Sequence, residues 1–504
     1  MAKKIVLVPL DERPVNHLFQ QYLTKDTDYE ITTPPLDFLG LKKQAADVDK
    51  IWDWLLEKSK TAHGLILSID MLLYGGLVPS RLHNHSVEIL LKRLDDLKKL
   101  KAHNPKVKIF AFATIMRTPS YSSSDEEPDY YELHGKDIHD YGMLMHKLEV
   151  NAITEAEKQT LEEITARLPM IYYEDYIERR QKNLSVTKRI IDYVKNGIID
   201  FMIIPQDDAS PYGLTAKDQR MIREYINQTK TQLKVYMYPD ADGVANTLLA
   251  RLINIDKGFR PQIYVRFASC AGKTVIPSLE DRHIIETIKY HIIAINGIMT
   301  ETVESADLVL MINVAPKMFD VRFSYYAKGI EHDAFRNLIE FIEYADYTIN
   351  TLNKLTIIGD VAYCNGADLE LIDLIYQKGL TYKLAGYAAW NSSSNSIATA
   401  LCQGIIYYHY GRTKAHLEFL ALRYLDDAAY QSMVRQLVVQ QLPTMKMDFF
   451  NIDGPRGKVA EMVRSGLQAY IDKELPKDYQ VLIEDCYLPW SRMYEVGLKV
   501  TIKD

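Results

Sequence analysis

The chain has 504 residues, of which 47% are hydrophobic and 25% charged, and its formal net charge is −7. These are ordinary globular values that exclude long disordered or fibrous tracts, and at ~150 residues per domain they predict roughly two to four domains with cores that need no metal or disulfide staples. A mildly acidic chain of mixed sign is a poor nucleic-acid binder.

At the N-terminus the apolar run in MAKKIVLVPLDERP ends at Asp11-Glu12-Arg13. It is too short for a secretory signal and has no small-residue cleavage site. No stretch approaches the ~18 apolar residues of a membrane span. Cys270, Cys364, Cys402 and Cys486 are far apart and form no CxxC. That usage suits a reduced cytoplasm and argues against a zinc ribbon or disulfide framework.

Short β-rich runs then alternate with helical periodicity. Strands are predicted at 4–10, 29–34, 64–70, 108–115, 201–206 and 234–238. Between them, one amphipathic helix carries Val48, Ile51, Trp52 and Leu55, and another carries Val87, Leu90, Leu91, Leu94 and Leu97. Residues 118–190 interrupt this series. They open with Ser122-Ser123-Ser124-Asp125-Glu126-Glu127-Pro128, read as a solvated loop, and continue as charged helices, read as a surface insertion or a lid. After Asp256-Lys257-Gly258-Phe259-Arg260-Pro261 the pattern restarts, with strands at 262–267, near 298–302, 307–313, 355–360 and 384–390 and a helix at 283–295. Beyond about 405 come helices and an alternating strand at 494–502.

Continuous apolar strands separated by helices predict parallel sheets covered on both faces. The expected fold is therefore α/β: two tandem doubly wound, Rossmann-like or flavodoxin-like domains. The expected boundaries are 1–255, with the insertion 118–190, then 256–410 and a C-terminal extension 411–504. A single (β/α) barrel is the competing architecture.

In open α/β sheets, ligands bind outside the carboxyl ends of the strands. Asp11, Arg13 and Asn16 follow the first strand; Asp70, Tyr74 and Arg81 the third; Arg117 the fourth; Asp207 and Asp208 the fifth; and Asp240 the sixth. In the second domain the same edge offers Arg266, Asn313, Asp360, Trp390, Asn391 and Asn395. This makeup filters mechanisms. No GxSxG elbow, GxGxxG turn or P-loop is present. The 13 histidines are scattered, and His83 and His85 are read as surface residues. Carboxylate acid/base chemistry remains, without a cofactor or with Mg or Mn held by the same aspartates.

Adjacent carboxylates at a buried strand end repel, so one can hold its proton while the other stays ionised. Asp208 is the expected general acid, Asp207 its partner, and Asp11 or Asp70 a second carboxylate. The alternative for Asp207-Asp208 is a solvated pair capping the next helix. Arg13, Arg81, Arg117 and Arg266 would neutralise these acids or grip an anionic group. Asn16, Tyr74, Asp240, Asn313, Trp390, Asn391 and Asn395 complete the expected substrate-binding set. Asp368 reads as a helix N-cap. The 34 tyrosines against 14 phenylalanines fit amphipathic packing or sugar stacking.

VPLDERPVN, DMLLYGGLVPSR, IMRTP, PQDDASPYG, YPDADGVA, AAWN followed by Asn395, and LPWSR together resemble the bacterial family catalogued as domain of unknown function 4127, over about residues 4–500. The resemblance implies one constellation of strand-end residues but no established reaction. The expectation from the residues is a cytoplasmic hydrolase acting on a small carbohydrate or glycoside in a cleft between the two domains. The rivals are a Mg- or Mn-dependent hydrolase or lyase and a non-catalytic sugar-binding or sensor protein.

Overall fold

The computed structural model describes residues 2–315 and 334–503. The chain divides into two compact units. The first comprises residues 1–12, 29–241 and 279–281, and the second residues 13–28, 242–278 and 282–504.

The first unit is built on six parallel strands: β1 (Lys3–Val8), β2 (Tyr29–Thr32), β3 (Gly64–Ser68), β4 (Lys108–Phe112), β5 (Phe201–Gln206) and β6 (Val235–Pro239). Their spatial order is β2-β1-β3-β4-β5-β6. Every residue of β3 and β5 is buried, as strands covered by helices on both faces require. The core runs from Val6 and Val8 through Leu65, Leu67, Ile109 and Met202 to Met237. Onto it pack Ile51, Trp52 and Leu55 of the helix Val48–Ser59, whose N-cap Asp47 accepts from the Lys50 amide at 3.2 Å.

The second sheet contains β7 (Gln262–Phe267), β8 (Ile298–Thr300), β9 (Leu308–Asn313), β10 (Leu355–Asp360) and β11 (Gly386–Ala388), all parallel, in the order β11-β10-β9-β7-β8. Numbered within its own unit this is 2-1-3-4-5 when read from β8, the same start as the first sheet and the flavodoxin-like order. Both sheets are open, so the described residues form two doubly wound α/β layers and no closed barrel.

Several boundaries differ from the sequence expectation. The helix Val244–Asp256, expected in the first domain, packs on the helix Ser393–Tyr410 and belongs to the second unit. Residues 13–28 also belong there, as does the C-terminal extension. The single helix expected through Val87–Leu97 is two, Val87–Leu94 and Leu97–His103. It breaks at Asp95-Asp96, where short acids favour helix ends over interiors. The terminal strand is β13 (Gly497–Lys503), and its antiparallel partner β12 (Gln480–Tyr487) was not expected.

The insertion forms three helices, Tyr131–Glu149, Glu155–Arg167 and Met170–Lys195. The last runs past residue 190 because it is also the connection into β5 and packs against Val87–Leu94 and Leu214–Thr229. The insertion has its own core of Tyr131, Ile138, Leu144, Ile164, Leu168 and Tyr176, closed by Met116 and Leu214. Gly142 makes this closure possible, since a Cβ there would lie 2.7 Å from Leu214 Cγ.

Candidate functional site

The carboxyl edge of the first sheet carries the densest charge cluster. Ser68 ends β3 and caps the helix Ile69–Tyr74, accepting from the Met71 amide at 3.2 Å. That cap fixes Asp70 in the first turn, 3% exposed, where Oδ2 accepts from the Thr114 amide just beyond β4 at 2.9 Å. The helix stops at Gly75, whose φ of +87° and close approach to the Ala46 amide admit no side chain. The chain then turns to deliver Arg81, 1% exposed.

Arg81 donates to Asp207 Oδ2 at 2.7 Å, to Glu126 Oε2 at 3.1 Å and to Glu127 Oε1 at 3.2 Å. Arg117 donates to the same Glu127 oxygen at 2.8 Å and to Glu126 at 3.1 Å, and lies 3.5 Å from Asp208 Oδ2. Two arginines are thus held among four carboxylates. The insertion clamps this arrangement: Tyr176 Oη and Arg180 donate to the Arg117 carbonyl at 2.7 and 3.0 Å. Asp208 has φ +48°, a left-handed conformation that a non-glycine residue adopts at a cost.

Burial lifts the Asp70 carboxyl to about 6, against the opposing pull of the Thr114 amide. Burial, and then the adjacent Asp208, push Asp207 above the usual carboxylate range, while Arg117 and Arg81 pull it down. Chemically, burial at this edge favours the protonated form of the Asp70 and Asp207 carboxyls, while the two arginines favour the ionised form of Asp207. Among the described residues, no group of three or more His, Cys, Asp or Glu is placed to hold a metal ion.

The structure sorts the remaining expected residues. Asp11 and Asp240 are buried after β1 and β6, and Asp240 accepts from the Ala241 amide at 2.7 Å. Tyr74 is a core residue stacked on His83 at 4.5 Å. His83 is not the surface residue the sequence suggested: it is 8% exposed and hydrogen-bonded to Asn183 at 2.8 Å. Packing against the Tyr74 ring buries it, and desolvation lowers its pKa to about 4.

In the second unit a different assembly forms. Arg13 donates to both carboxylate oxygens of Asp242 at 2.6 and 3.3 Å, and Asn16 adds a third bond at 3.0 Å. Asn391 reaches Asp242 at 3.5 Å, and Asn395 Oδ1 accepts from the Gly243 amide at 3.1 Å. Trp490, at φ +57°, lies under the Arg13 guanidinium at 4.8 Å. Trp390 donates from its indole to Thr399 at 3.2 Å. Arg266 stands apart from these residues, ion-paired with Glu340 and stacked 3.8 Å from Tyr344.

Asn313 and Asp360, ending β9 and β10, enter a buried network. Asn313 donates to Asp360 at 2.8 Å and to Asp368 at 3.2 Å, and accepts from Arg336 at 2.7 Å. Asp368 caps the helix Leu369–Gln377, as the sequence suggested, accepting from the Glu370 amide at 3.2 Å. Burial and the neighbouring Asp368 push Asp360 up to about 7.

Sequence reasoning missed two sets of residues. Glu126 and Glu127 sit in a polar run that reads as a solvated loop, yet Glu127 is 1% exposed. The signal for them was electrostatic, since two arginines at buried strand ends need counter-charges. Asp426 and Asp427 lie where the chain winds as a π-helix, Tyr424–Val434, a form enriched at functional sites. Arg423 bridges them at 2.7 and 2.9 Å, and Asp427 Oδ2 accepts from the Ala389 amide at 2.7 Å. The signal there was an acidic pair inside the apolar run FLALRYLDDAAY.

Fold and strand-end chemistry together define a protein of two flavodoxin-like α/β units, with an arginine-bridged carboxylate cluster on the first. The family model described as Protein of unknown function (DUF4127) matches residues 5–499, and the chain belongs to that family. No curated protein and no solved structure matches it. No helix among the described residues is long and apolar enough to cross a membrane.

Proposed function

We propose that the protein is a hydrolase that cleaves a small carbohydrate or glycoside by carboxylate general acid/base chemistry at the strand ends of its first unit. The observation that carries this reading is the gathering of Asp207 and Asp208 around Arg81 and Arg117, at the same strand edge as Asp70, whose carboxyl burial lifts to about 6. A protonated carboxyl of this set gives its proton to the leaving oxygen as the C–O bond breaks. An ionised one takes a proton from the water whose oxygen bonds to the carbon. Arg81 and Arg117 keep the cluster from accumulating charge as protons move. Tyr121, 42% exposed and within electrostatic reach of Arg117 and Asp208, offers a ring face to a sugar.

The test is a turnover screen of the full chain on aryl glycosides and small oligosaccharides, with and without EDTA. Hydrolysis that survives chelation and fails in Asp208→Asn supports the proposal. Loss of activity on chelation moves the chemistry to a bound divalent cation. Binding without turnover on any substrate makes the protein a sensor.

A further inference from the structure

The second unit has a pocket of its own, lined by Arg13, Asn365, Trp390, Asn391, Asp426 and Gln431 among others, with about 440 Å³ of empty space that includes its open mouth. We infer that it binds the hydroxyl-bearing edge of a neutral sugar or polyol, read by Asp426 and Gln431. The inference concerns the second unit alone and stands apart from the chemistry proposed for the first.

Three observations converge. Asp426 Oδ1 and Gln431 Oε1 are buried acceptors that receive no hydrogen bond of good geometry, although the Gln431 side chain lies close enough to Asp426 to pull its carboxyl down against burial. The Asp426 side chain is only 10% exposed, and its other oxygen is occupied by Arg423 at 2.7 Å. Buried acceptors without donors are costly, and a ligand that brings O–H groups removes that cost. Both residues sit on the π-helix, where five-residue spacing places positions 426 and 431 one turn apart.

The second observation is charge. Each formal charge on the wall is already matched: Arg13 by Asp242 at 2.6 Å, Asp426 by Arg423 and Glu495 by Arg492 at 3.2 Å. An anionic ligand would meet Asp426 and Glu495, and a cationic one would meet Arg13, so a neutral ligand fits best. The third is the wall chemistry. Asn365 and Asn391, at φ +61° and +50°, present amides from two strand-to-helix turns joined by an Asn365 amide to Asn391 carbonyl bond of 3.0 Å. Trp390 and Tyr494 supply rings beside them, and Tyr494 Oη donates to Asn391 Oδ1 at 3.3 Å. Amides and one carboxylate beside aromatic rings suit a ring that is apolar on its C–H face and polar at its edge.

The experiment titrates the full chain with methyl glycosides of neutral hexoses, myo-inositol, glucuronate and glucosamine, read by calorimetry and tryptophan fluorescence. We expect saturable binding of at least one neutral ring, and about tenfold weaker binding of the charged analogues. Asp426→Asn should weaken it about tenfold or more, as loss of a charged acceptor does. If Asp426→Asn does not fold, Gln431→Ala, which keeps the Arg423 ion pair, carries the same expectation. Absence of saturable binding by every ring overturns the inference and means that the Gln431 amide turns to donate to Asp426. Tighter binding of glucuronate or glucosamine, or wild-type affinity in Gln431→Ala, overturns it equally.

Discussion

Arg81 donates to Asp207 at 2.7 Å from a side chain that is 1% exposed, and the same guanidinium reaches Glu126 and Glu127. One cation therefore satisfies three carboxylates. Arg81→Met, which keeps much of the volume and removes the charge, should lower stability by about 3–5 kcal/mol by leaving buried acids unmatched. Denaturant unfolding of the variant measures this; a loss under ~1 kcal/mol would mean that Arg117 alone neutralises the group.

Asp70 allows a sharper test because its expected effect changes with pH. Burial raises its pKa to about 6, so the fold favours the protonated form. Its contribution to stability is full below the ordinary carboxylate range and is lost as pH rises through about 6. Asp70→Asn is neutral at every pH and can still accept the Thr114 amide. The variant should match the wild type near pH 4 and exceed it near pH 8, by on the order of 3 kcal/mol at most. Thermal midpoints at both pH values decide the matter, and a gap that does not widen removes the raised pKa.

Asp360 should respond in the opposite sense. Its Oδ1 accepts from Asn313, and its Oδ2 accepts from Tyr387 and the Asp368 amide at 3.0 and 2.8 Å. An amide keeps one acceptor and turns an N–H₂ toward a donor. Asp360→Asn should therefore lose about 1–3 kcal/mol, although its carboxyl, like that of Asp70, is pushed up by burial. Equal thermal midpoints for Asp360→Asn and wild type at pH 8 would show that the network repacks.

For the proposed reaction, Asp208→Asn is the informative variant. Asn adopts left-handed backbone readily, so φ +48° is no obstacle. The Asp208 side chain is 18% exposed and 3.5 Å from its arginine, so little stability rests on it. Turnover should fall ~10²–10⁴-fold with the thermal midpoint unchanged. Retained turnover would take Asp208 out of the chemistry.

The strands were legible because β-branched and apolar runs such as KIVLV and FMII read the same in isolation as in a sheet covered on both faces. The residues after them were legible for the same reason: Asp70, Arg117 and Asp207 come after strands of one parallel sheet, so topology alone brings their backbones to one edge. A residue close behind a strand in sequence need not stay with its sheet, however. Arg13 and Asn16 come just after β1 yet bond to Asp242 in the second unit, and nothing in their local pattern says so. Glu127 was hidden because polar runs look alike whether solvated or matched by buried arginines. The strand β12 was hidden because Glu484 and Asp485 interrupt its alternation, where the register also shifts.

The excursion of residues 13–28 into the second unit has a consequence for synthesis. Arg13 leaves the ribosome 229 residues before its partner Asp242, and Phe19 waits longer still for Trp390 and Phe419. At ~5–20 residues per second, that is on the order of ten seconds or more during which Phe19 and Leu23, both buried in the finished protein, have nothing to pack against. A fragment stopped at residue 241 would keep all six strands of the first sheet. It would also carry that apolar segment permanently undocked, so a cut made only to preserve the sheet would yield a sticky product.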